Sequence, residues 1–174
     1  MNPVTTRYGA AADLPAIETL YPAAFPDEDL LPLVRQLLPD SANVLSLVAE
    51  VDAAIVGHVA FSRCSLAGTD SALSLLAPLA VAPTAQRAGV GTSLTNAGIE
   101  LLRKDGVAAV LVLGDPAYYG RFGFAATTSV TPPYDLPVEY MGAWQLLELY
   151  PGAAHLSGRL RVPEQWRQPA LWAP

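Results

Sequence analysis

The residues best suited to bind a ligand form one short run, Gln86-Arg87-Ala88-Gly89-Val90-Gly91-Thr92. Gly89 and Gly91 stand where a predicted strand gives way to a predicted helix, so the backbone there can approach a ligand closely. The first N–H groups of such a helix lie at the positive end of its dipole, which favours phosphate or pyrophosphate. We therefore predict that this loop grips the pyrophosphate of a nucleotide cofactor.

Two glycines before a helix are weak evidence alone, and two commoner nucleotide motifs also use them. A P-loop needs Gly-Lys-Ser/Thr, but here Thr92 follows Gly91 directly and no lysine is present. A dinucleotide-binding fingerprint needs a third small residue at the position where this chain has Leu94. That fingerprint also follows the first strand of its fold, whereas the glycine loop of this chain follows roughly the fourth predicted strand. Both alternatives are disfavoured, and with them a nicotinamide oxidoreductase.

The elements that must position the loop read as a strand–helix–strand unit. A strand from Leu75 to Val81 leads into the loop, and an amphipathic helix follows it. Val107 to Leu113 is an unbroken apolar run, typical of a strand covered on both faces, so these two strands should be parallel. Earlier strands at Val44 to Val51 and Ile55 to Ser65 form a meander, which makes the sheet mixed. The remaining predicted elements are a strand at Val4 to Tyr8, a helix with Asp13 as N-cap before a loop bearing Pro22 and Pro26, a helix over Leu30 to Leu38, and strands at Trp144 to Leu149 and Gly158 to Val162.

Two motifs in the correct order resemble one family. Gln86-x-x-Gly89-x-Gly91 resembles the acetyl-CoA loop of the GNAT N-acetyltransferase superfamily, Arg/Gln-x-x-Gly-x-Gly/Ala. A second motif of this superfamily, Tyr-x-x-x-Gly-Phe, is matched one strand later by Tyr119-Gly120-Arg121-Phe122-Gly123-Phe124. The sequence from Leu113 to Phe124 further resembles the YhbS-like branch of the superfamily. The resemblance implies an α/β GNAT acyl-CoA N-acyltransferase fold, with a central mixed, mostly antiparallel sheet, a splayed strand and flanking helices. It implies one domain over 1–174, with a core over 1–128 and C-terminal strands and an acceptor-side region over 129–174.

The resemblance also assigns roles. Acetyl-CoA is the implied co-substrate, held by the backbone of the splayed strand and by the glycine loop. Pro78, inside that strand, is expected at or near its bulge. Tyr119 would donate a proton to the departing thiolate. The implied cofactor-binding residues are Leu79, Ala80, Val81, Gln86, Arg87, Ala88, Gly89, Val90, Gly91 and Thr92.

The general base is less clearly marked. Glu28, before the second helix, lies where the superfamily often builds its acceptor site, and Glu50 and His58 are rivals. Each of these residues also has an ordinary structural explanation. Glu28 can be a solvent-exposed residue at the start of a helix, and His58 can be a strand histidine whose ring nitrogens are hydrogen-bonded. Many enzymes of this type deprotonate the amine through a chain of water molecules instead of a single residue. Val112 stands where many relatives carry a pantetheine-binding asparagine, and Asp115 is a substitute candidate.

Composition sets the remaining expectations. The 174 residues fit one domain, and no apolar run is long enough for a membrane span, nor does the start read as a signal peptide. Cys64 is the only cysteine, which fits a cytoplasmic protein, and it reads as a packed strand residue. Two histidines and one cysteine imply no metal site. The net charge of −6 disfavours nucleic acid and membrane partners and weakly favours a small-molecule or peptide amine that is cationic. Monomer and homodimer both stay open, as does a CoA-binding module without catalysis.

Overall fold

The computed structural model describes residues 2–152 and 155–173. They form two compact units, one of residues up to 61 together with 77–100, the other of residues 62–76 together with the described residues from 101 onward. The helices are α1 (Leu14–Ala24), α2 (Leu31–Leu37), α3 (Val90–Lys104) and α4 (Pro116–Tyr119). The strands are β1 (Thr5–Tyr8), β2 (Val44–Val51), β3 (Ala54–Cys64), β4 (Leu73–Val81), β5 (Ala109–Leu113), β6 (Ala125–Ala126), β7 (Val130–Thr131), β8 (Trp144–Glu148) and β9 (Gly158–Arg159).

Seven of the strands make one sheet in the order β1-β2-β3-β4-β5-β8-β6. The pairs β1–β2, β5–β8 and β6–β8 are antiparallel. β4 and β5 are parallel, and their pairing joins Leu73–Leu75 to Ala109–Leu111 at the N-terminal end of β4. The predicted α/β fold with a mixed, mostly antiparallel sheet flanked by helices is confirmed. The parallel pair follows from the α3 crossover, since parallel neighbours need such a connection.

The turn that joins β2 to β3 has an uncommon backbone conformation. Asp52 and Ala53 both have positive φ, 51° and 62°, which suits a tight turn between antiparallel strands.

The two early helices pack on the sheet in one buried cluster. Val34, Tyr21 and Ile17 from these helices contact Val48 of β2 and Ala80 of β4. The helices α1 and α2 therefore cover the same part of the sheet as the C-terminal end of β4.

Helix α3 fits against β3 through two glycines within the first unit. A Cβ on Gly57 of β3 would stand 2.7 Å from Val90 Cγ1 and 2.9 Å from Leu94 Cδ1. A Cβ on Gly98 of α3 would stand 2.1 Å from Phe61 Cε2. All three distances are shorter than real carbon contacts, so the absence of a side chain at these two positions is what allows the helix to lie this close to the strand. The glycine loop before α3 is fixed by that packing.

The second unit is tied together by its C-terminal segment. All three tryptophans lie in it and their rings form edge contacts, with Trp172 touching Trp144 and Trp166 at centroid distances of 5.8 and 6.0 Å. The Trp166 indole donates to Ser62 Oγ at 3.0 Å, and the Trp172 indole donates to the Trp166 carbonyl at 3.0 Å. Cys64, buried in this unit, has its thiol pKa raised by burial to about 12. It is the packed residue that the sequence indicated.

Several predicted boundaries differ from the structure. α1 continues through Pro22 to Ala24, and it closes with a bond from Phe25 N–H to the Tyr21 carbonyl. Pro22 cannot donate a helix hydrogen bond, but the free energy gained by burying Tyr21 outweighs the loss of that bond. Asp13 precedes α1 without capping it, because its carboxylate accepts from the Ala10 N–H and from Arg7 instead. β9 has only two residues, Gly158–Arg159, and Arg161 then bridges to Ser65.

Candidate cofactor and acceptor residues

The glycine loop has the backbone form that an anion site needs. Arg87 and Gly89 adopt positive φ, 60° and 82°, a conformation that is uncommon outside glycine. The first α3 bond joins Ser93 N–H to the Gly89 carbonyl at 2.9 Å, so the N–H groups of Val90 and Gly91 precede it at the positive end of the helix. From Gln86 to Gly89 the loop is exposed to solvent. It is therefore open to a phosphate ligand.

Gln86 contributes to the shape of this loop. Its side-chain amide donates to the Val81 carbonyl at 3.2 Å, which ties the loop to the last residue of β4. Ala82 N–H donates to the Val56 carbonyl at 2.8 Å and holds the same strand end to β3. The glutamine of the motif thus ties the loop to Val81, the last residue of the backbone segment Leu79–Val81 that is predicted to bind the cofactor. Its direct contact with a cofactor stays a prediction.

His58, one rival base, lies in a closed hydrogen-bonded group. It is fully buried, with Nδ1 2.7 Å from the Tyr21 hydroxyl and Nε2 2.9 Å from the Ser46 hydroxyl. Burial lowers the pKa of the imidazole to about 4, although the charge of Asp13 opposes this. A neutral imidazole with both nitrogens engaged matches the structural reading better than the catalytic one.

Glu50, the second rival, belongs to an ion-pair group at the start of the chain. Arg7 Nη2 lies 2.6 Å from Glu50 Oε1, and Arg7 Nη1 lies 2.8 Å from Asp13 Oδ2. The hydrogen bond from Arg7 lowers the pKa of the Asp13 carboxyl, and the bond to Asp13 in turn raises the pKa of the guanidinium. Glu50 is therefore engaged in an ion pair with Arg7, which matches a structural role.

Glu28, the predicted base, lies on the exposed loop between α1 and α2. Its N–H donates to the Phe25 carbonyl at 3.3 Å. The loop borders an open cavity of about 370 Å³, and Glu28 and Tyr21 are both among its lining residues. Tyr21 also belongs to the buried cluster that contains Ala80, so this cavity and the end of β4 share one packed group of side chains. Of the three candidate bases, Glu28 has the most accessible carboxylate or imidazole.

Tyr119, the predicted proton donor, lies in the second unit at the end of α4. Asp115 caps α4 by accepting from the Ala117 N–H at 2.9 Å, and Pro116 follows as its first residue, as predicted. The Tyr119 ring lies over Gly114, where a Cβ would stand 2.4 Å from the ring, and makes an edge contact with Phe124 at 5.7 Å. Burial, with Tyr118 adding to it, raises the pKa of the Tyr119 phenol. The phenol is therefore protonated throughout the neutral range.

Tyr118 and Tyr119 have different surroundings although they are adjacent. The guanidinium of Arg121 lies 4.5 Å from the Tyr118 ring centroid, a cation–π contact, and the two tyrosine rings meet edge to face at 4.9 Å. Tyr119 instead packs on Gly114. The pair therefore offers a matched comparison of two phenols in one short helix.

The sequence did not reveal the role of Gln145. Its side chain is 1% exposed, and its amide donates to the Gly114 carbonyl at 3.0 Å and to the Ala143 carbonyl at 3.3 Å. The Gly114 N–H in turn donates to the Ala143 carbonyl at 3.0 Å. Gln145 thus fixes the turn on which the Tyr119 ring lies. A polar residue between the apolar residues Trp144 and Leu146 of the strand is the signal that could have indicated it.

No group of three or more metal-binding side chains occurs in the described part of the chain. Likewise, none of the helices within residues 2–152 and 155–173 is long and apolar enough to cross a membrane.

Several known proteins are similar to this chain in sequence and in fold. The model of the acetyltransferase (GNAT) family matches residues 14–124. YjhQ, an uncharacterised N-acetyltransferase of Escherichia coli K12, is 39% identical over 161 residues, which cover 88% of this chain and 87% of YjhQ. YhbS, an uncharacterised N-acetyltransferase of the same organism, is 39% identical over 113 residues, which cover 64% of this chain and 68% of YhbS.

Two solved structures add ligands to the comparison. The crystal structure of Escherichia coli YhbS in complex with CoA matches with a TM-score of 0.86 and 29% identity, covering 97% of this chain and 94% of YhbS. A GNAT acetyltransferase from Brucella melitensis in complex with acetyl-CoA matches with a TM-score of 0.76 and 29% identity, covering 95% of this chain and 99% of the relative.

Proposed function

Because the chain belongs to the acetyltransferase (GNAT) family, we propose that it transfers an acetyl group from acetyl-CoA to a primary amine by direct attack. The observation that carries this proposal is the loop that leads into α3, which is exposed from Gln86 to Gly89 and has positive φ at Arg87 and Gly89. Relatives of the same fold bind CoA and acetyl-CoA, which supports the same ligand for this loop.

In the proposed reaction a neutral amine attacks the thioester carbonyl. The nitrogen–carbon bond forms while the carbonyl oxygen takes up negative charge, and backbone N–H groups of Leu79, Ala80 and Val81 stabilise that oxyanion. The carbon–sulfur bond then breaks and CoA leaves as a thiolate. The attacking nitrogen loses one proton, and the thiolate gains one.

We assign the proton for the thiolate to Tyr119, on the basis of its place in the Tyr-x-x-x-Gly-Phe motif. The raised pKa of its phenol keeps the proton in place at neutral pH. A phenol of raised pKa is a weak acid, so it acts chiefly by hydrogen bonding to the sulfur as negative charge develops there. The Tyr119 ring packs against Gly114, and this contact holds the hydroxyl in one orientation.

We assign the proton from the amine to Glu28. Its carboxylate is exposed on the cavity-lining loop, whereas His58 is buried with both ring nitrogens bonded and Glu50 is paired with Arg7. A carboxylate can take the proton directly or through one water molecule.

Release of free thiol from acetyl-CoA across a panel of primary amines tests the proposal. We expect saturable, amine-dependent release that exceeds hydrolysis without an amine, with the acetylated amine detected by mass spectrometry. If acetyl-CoA binds but no amine accelerates thiol release, the chain is a CoA-binding module and the proposed transfer is wrong.

A further inference from the structure

The cavity beside the loop between α1 and α2 has an apolar floor. Phe25 and Leu31, both half-buried, line it, and the Phe25 ring is supported from behind by the buried Tyr21 ring at a centroid distance of 6.1 Å and an angle of 23°. Its volume of about 370 Å³ lies within the range of small-molecule sites. A compact apolar group of a ligand would be removed from water against these side chains.

The charged side chains that line the same cavity are all acidic. Asp27, Glu28 and Asp29 are exposed, and no described residue donates a hydrogen bond or ion pair to their carboxylates. None of the described residues that line the cavity is basic. The cavity therefore combines a flat apolar floor with an unneutralised negative rim, which complements a cation that carries an apolar body.

We propose that this cavity binds an acceptor with a compact apolar body and a second ammonium group besides the amine that is acetylated. This inference rests on the proposed function, since it names the acceptor class of the same site. The shared buried cluster of Tyr21 and Ala80 sets the cavity beside the strand end assigned to the oxyanion, which is where an acceptor must bind.

The chemistry of the attack explains why a second cation fits better than a single one. An amine must lose its proton before it attacks, and a carboxylate beside it raises its pKa and opposes that loss. Glu28 offsets this cost by taking the proton. Asp27 and Asp29 are suited to a group that keeps its charge, as an aliphatic ammonium does at neutral pH.

A matched pair of probes separates the two features. Para-xylylenediamine and para-methylbenzylamine share one aromatic body, and only the diamine carries a second ammonium group. Calorimetric titration of the full chain should show the diamine binding about tenfold more tightly at low salt. Equal affinities, or no saturable binding of the diamine, would overturn the proposal.

Variants locate the effect. The double variant Asp27→Asn/Asp29→Asn should remove the advantage of the diamine while binding of the monoamine stays within about twofold. Phe25→Leu should weaken both probes by a similar factor, because it alters the shared floor. Asp70→Asn removes a carboxylate that does not line the cavity and should leave both affinities unchanged. If Asp70→Asn reduces the diamine's advantage as much as the double variant does, the preference is overall charge and the proposal is wrong.

Thiol release distinguishes this inference from the proposed function. If the diamine binds in the predicted way but no amine of the panel, the diamine included, accelerates thiol release, the cation site stands and the proposed transferase is wrong. A chain that acetylates monoamines and diamines equally, with Asp27→Asn/Asp29→Asn unchanged in KM for both, keeps the transferase and removes the cation site.

Discussion

Gly98 of α3 lies against the ring of Phe61 of β3 so closely that a Cβ on the glycine would stand 2.1 Å from Cε2 of the ring. Both residues belong to the first unit, and the contact determines how near α3 comes to the sheet. The glycine loop is the N-terminal continuation of that helix. The packing of one glycine therefore sets the position of the proposed pyrophosphate site.

Gly98→Ala should lower the free energy of unfolding by about 1–3 kcal/mol, because the buried Phe61 ring must move. Denaturant unfolding followed by circular dichroism measures this change. Phe61→Leu in the same chain should restore part of the loss by removing the ring. Gly142→Ala is the control, since nothing lies within 4 Å of a Cβ there. Equal losses for Gly98→Ala and Gly142→Ala would contradict the packing explanation.

Tyr119→Phe should lower kcat on the order of 100-fold with little change in the Kd of acetyl-CoA, since it keeps the ring on Gly114 and removes the donor. Tyr118→Phe should retain a kcat near that of the unaltered chain. Steady-state thiol release together with calorimetry gives both quantities. An unaltered rate for Tyr119→Phe removes it from this role.

Gln145→Leu should reduce kcat several-fold by loosening the Gly114 turn. It should also destabilise the chain by about 1 kcal/mol, because the part-buried carbonyls of Gly114 and Ala143 each lose a hydrogen bond from the amide. A double-mutant cycle separates positioning from general damage. In the Tyr119→Phe background, Gln145→Leu should cause little further loss of kcat. If the two losses multiply instead, Gln145 does not act through Tyr119.

Stability should fall between pH 6.5 and 4 because of His58. In the unfolded chain its pKa is that of an ordinary histidine, 6.5, whereas burial lowers it to about 4 in the folded chain. Between these values the unfolded state binds a proton that the native state does not, so the free energy of unfolding decreases as the pH falls, by up to about 3 kcal/mol. The lowered pKa of Asp13 adds a further loss only below its ordinary value of 3.8.

Urea unfolding at pH 7 and pH 4.5 measures this dependence. His58→Gln should be less stable at pH 7 but should show a flatter pH profile in that window. His155→Gln changes the other histidine, which is exposed, and should keep the original slope. A slope that survives in His58→Gln would show that another group is responsible.

The sequence predicted local features well and long-range partners poorly. The glycine loop, the Asp115 cap and the parallel strands around α3 depend on residues near one another in the chain, where the spacing of glycine, proline and apolar residues is informative. The bonds of His58 to Tyr21 and Ser46, and of Gln145 to Gly114, join residues 12 to 37 positions apart. No local pattern encodes such pairs. Asp13 shows a different limit: its predicted role as N-cap is local, but the nearby Arg7 and the Ala10 N–H occupy its carboxylate instead.

Binding of acetyl-CoA to a matched pair of loop variants tests the central claim most directly. Gly89→Asn and Gly89→Asp are close in size, both meet open space, and Asn and Asp both tolerate the φ of 82° better than most residues. Only aspartate sets a negative charge beside the proposed pyrophosphate. Calorimetry should therefore show saturable acetyl-CoA and CoA binding that Gly89→Asp weakens at least about tenfold more than Gly89→Asn, with no binding of NAD. Equal affinities of the two variants, or no saturable binding of acetyl-CoA by the unaltered chain, would contradict the assignment of this loop.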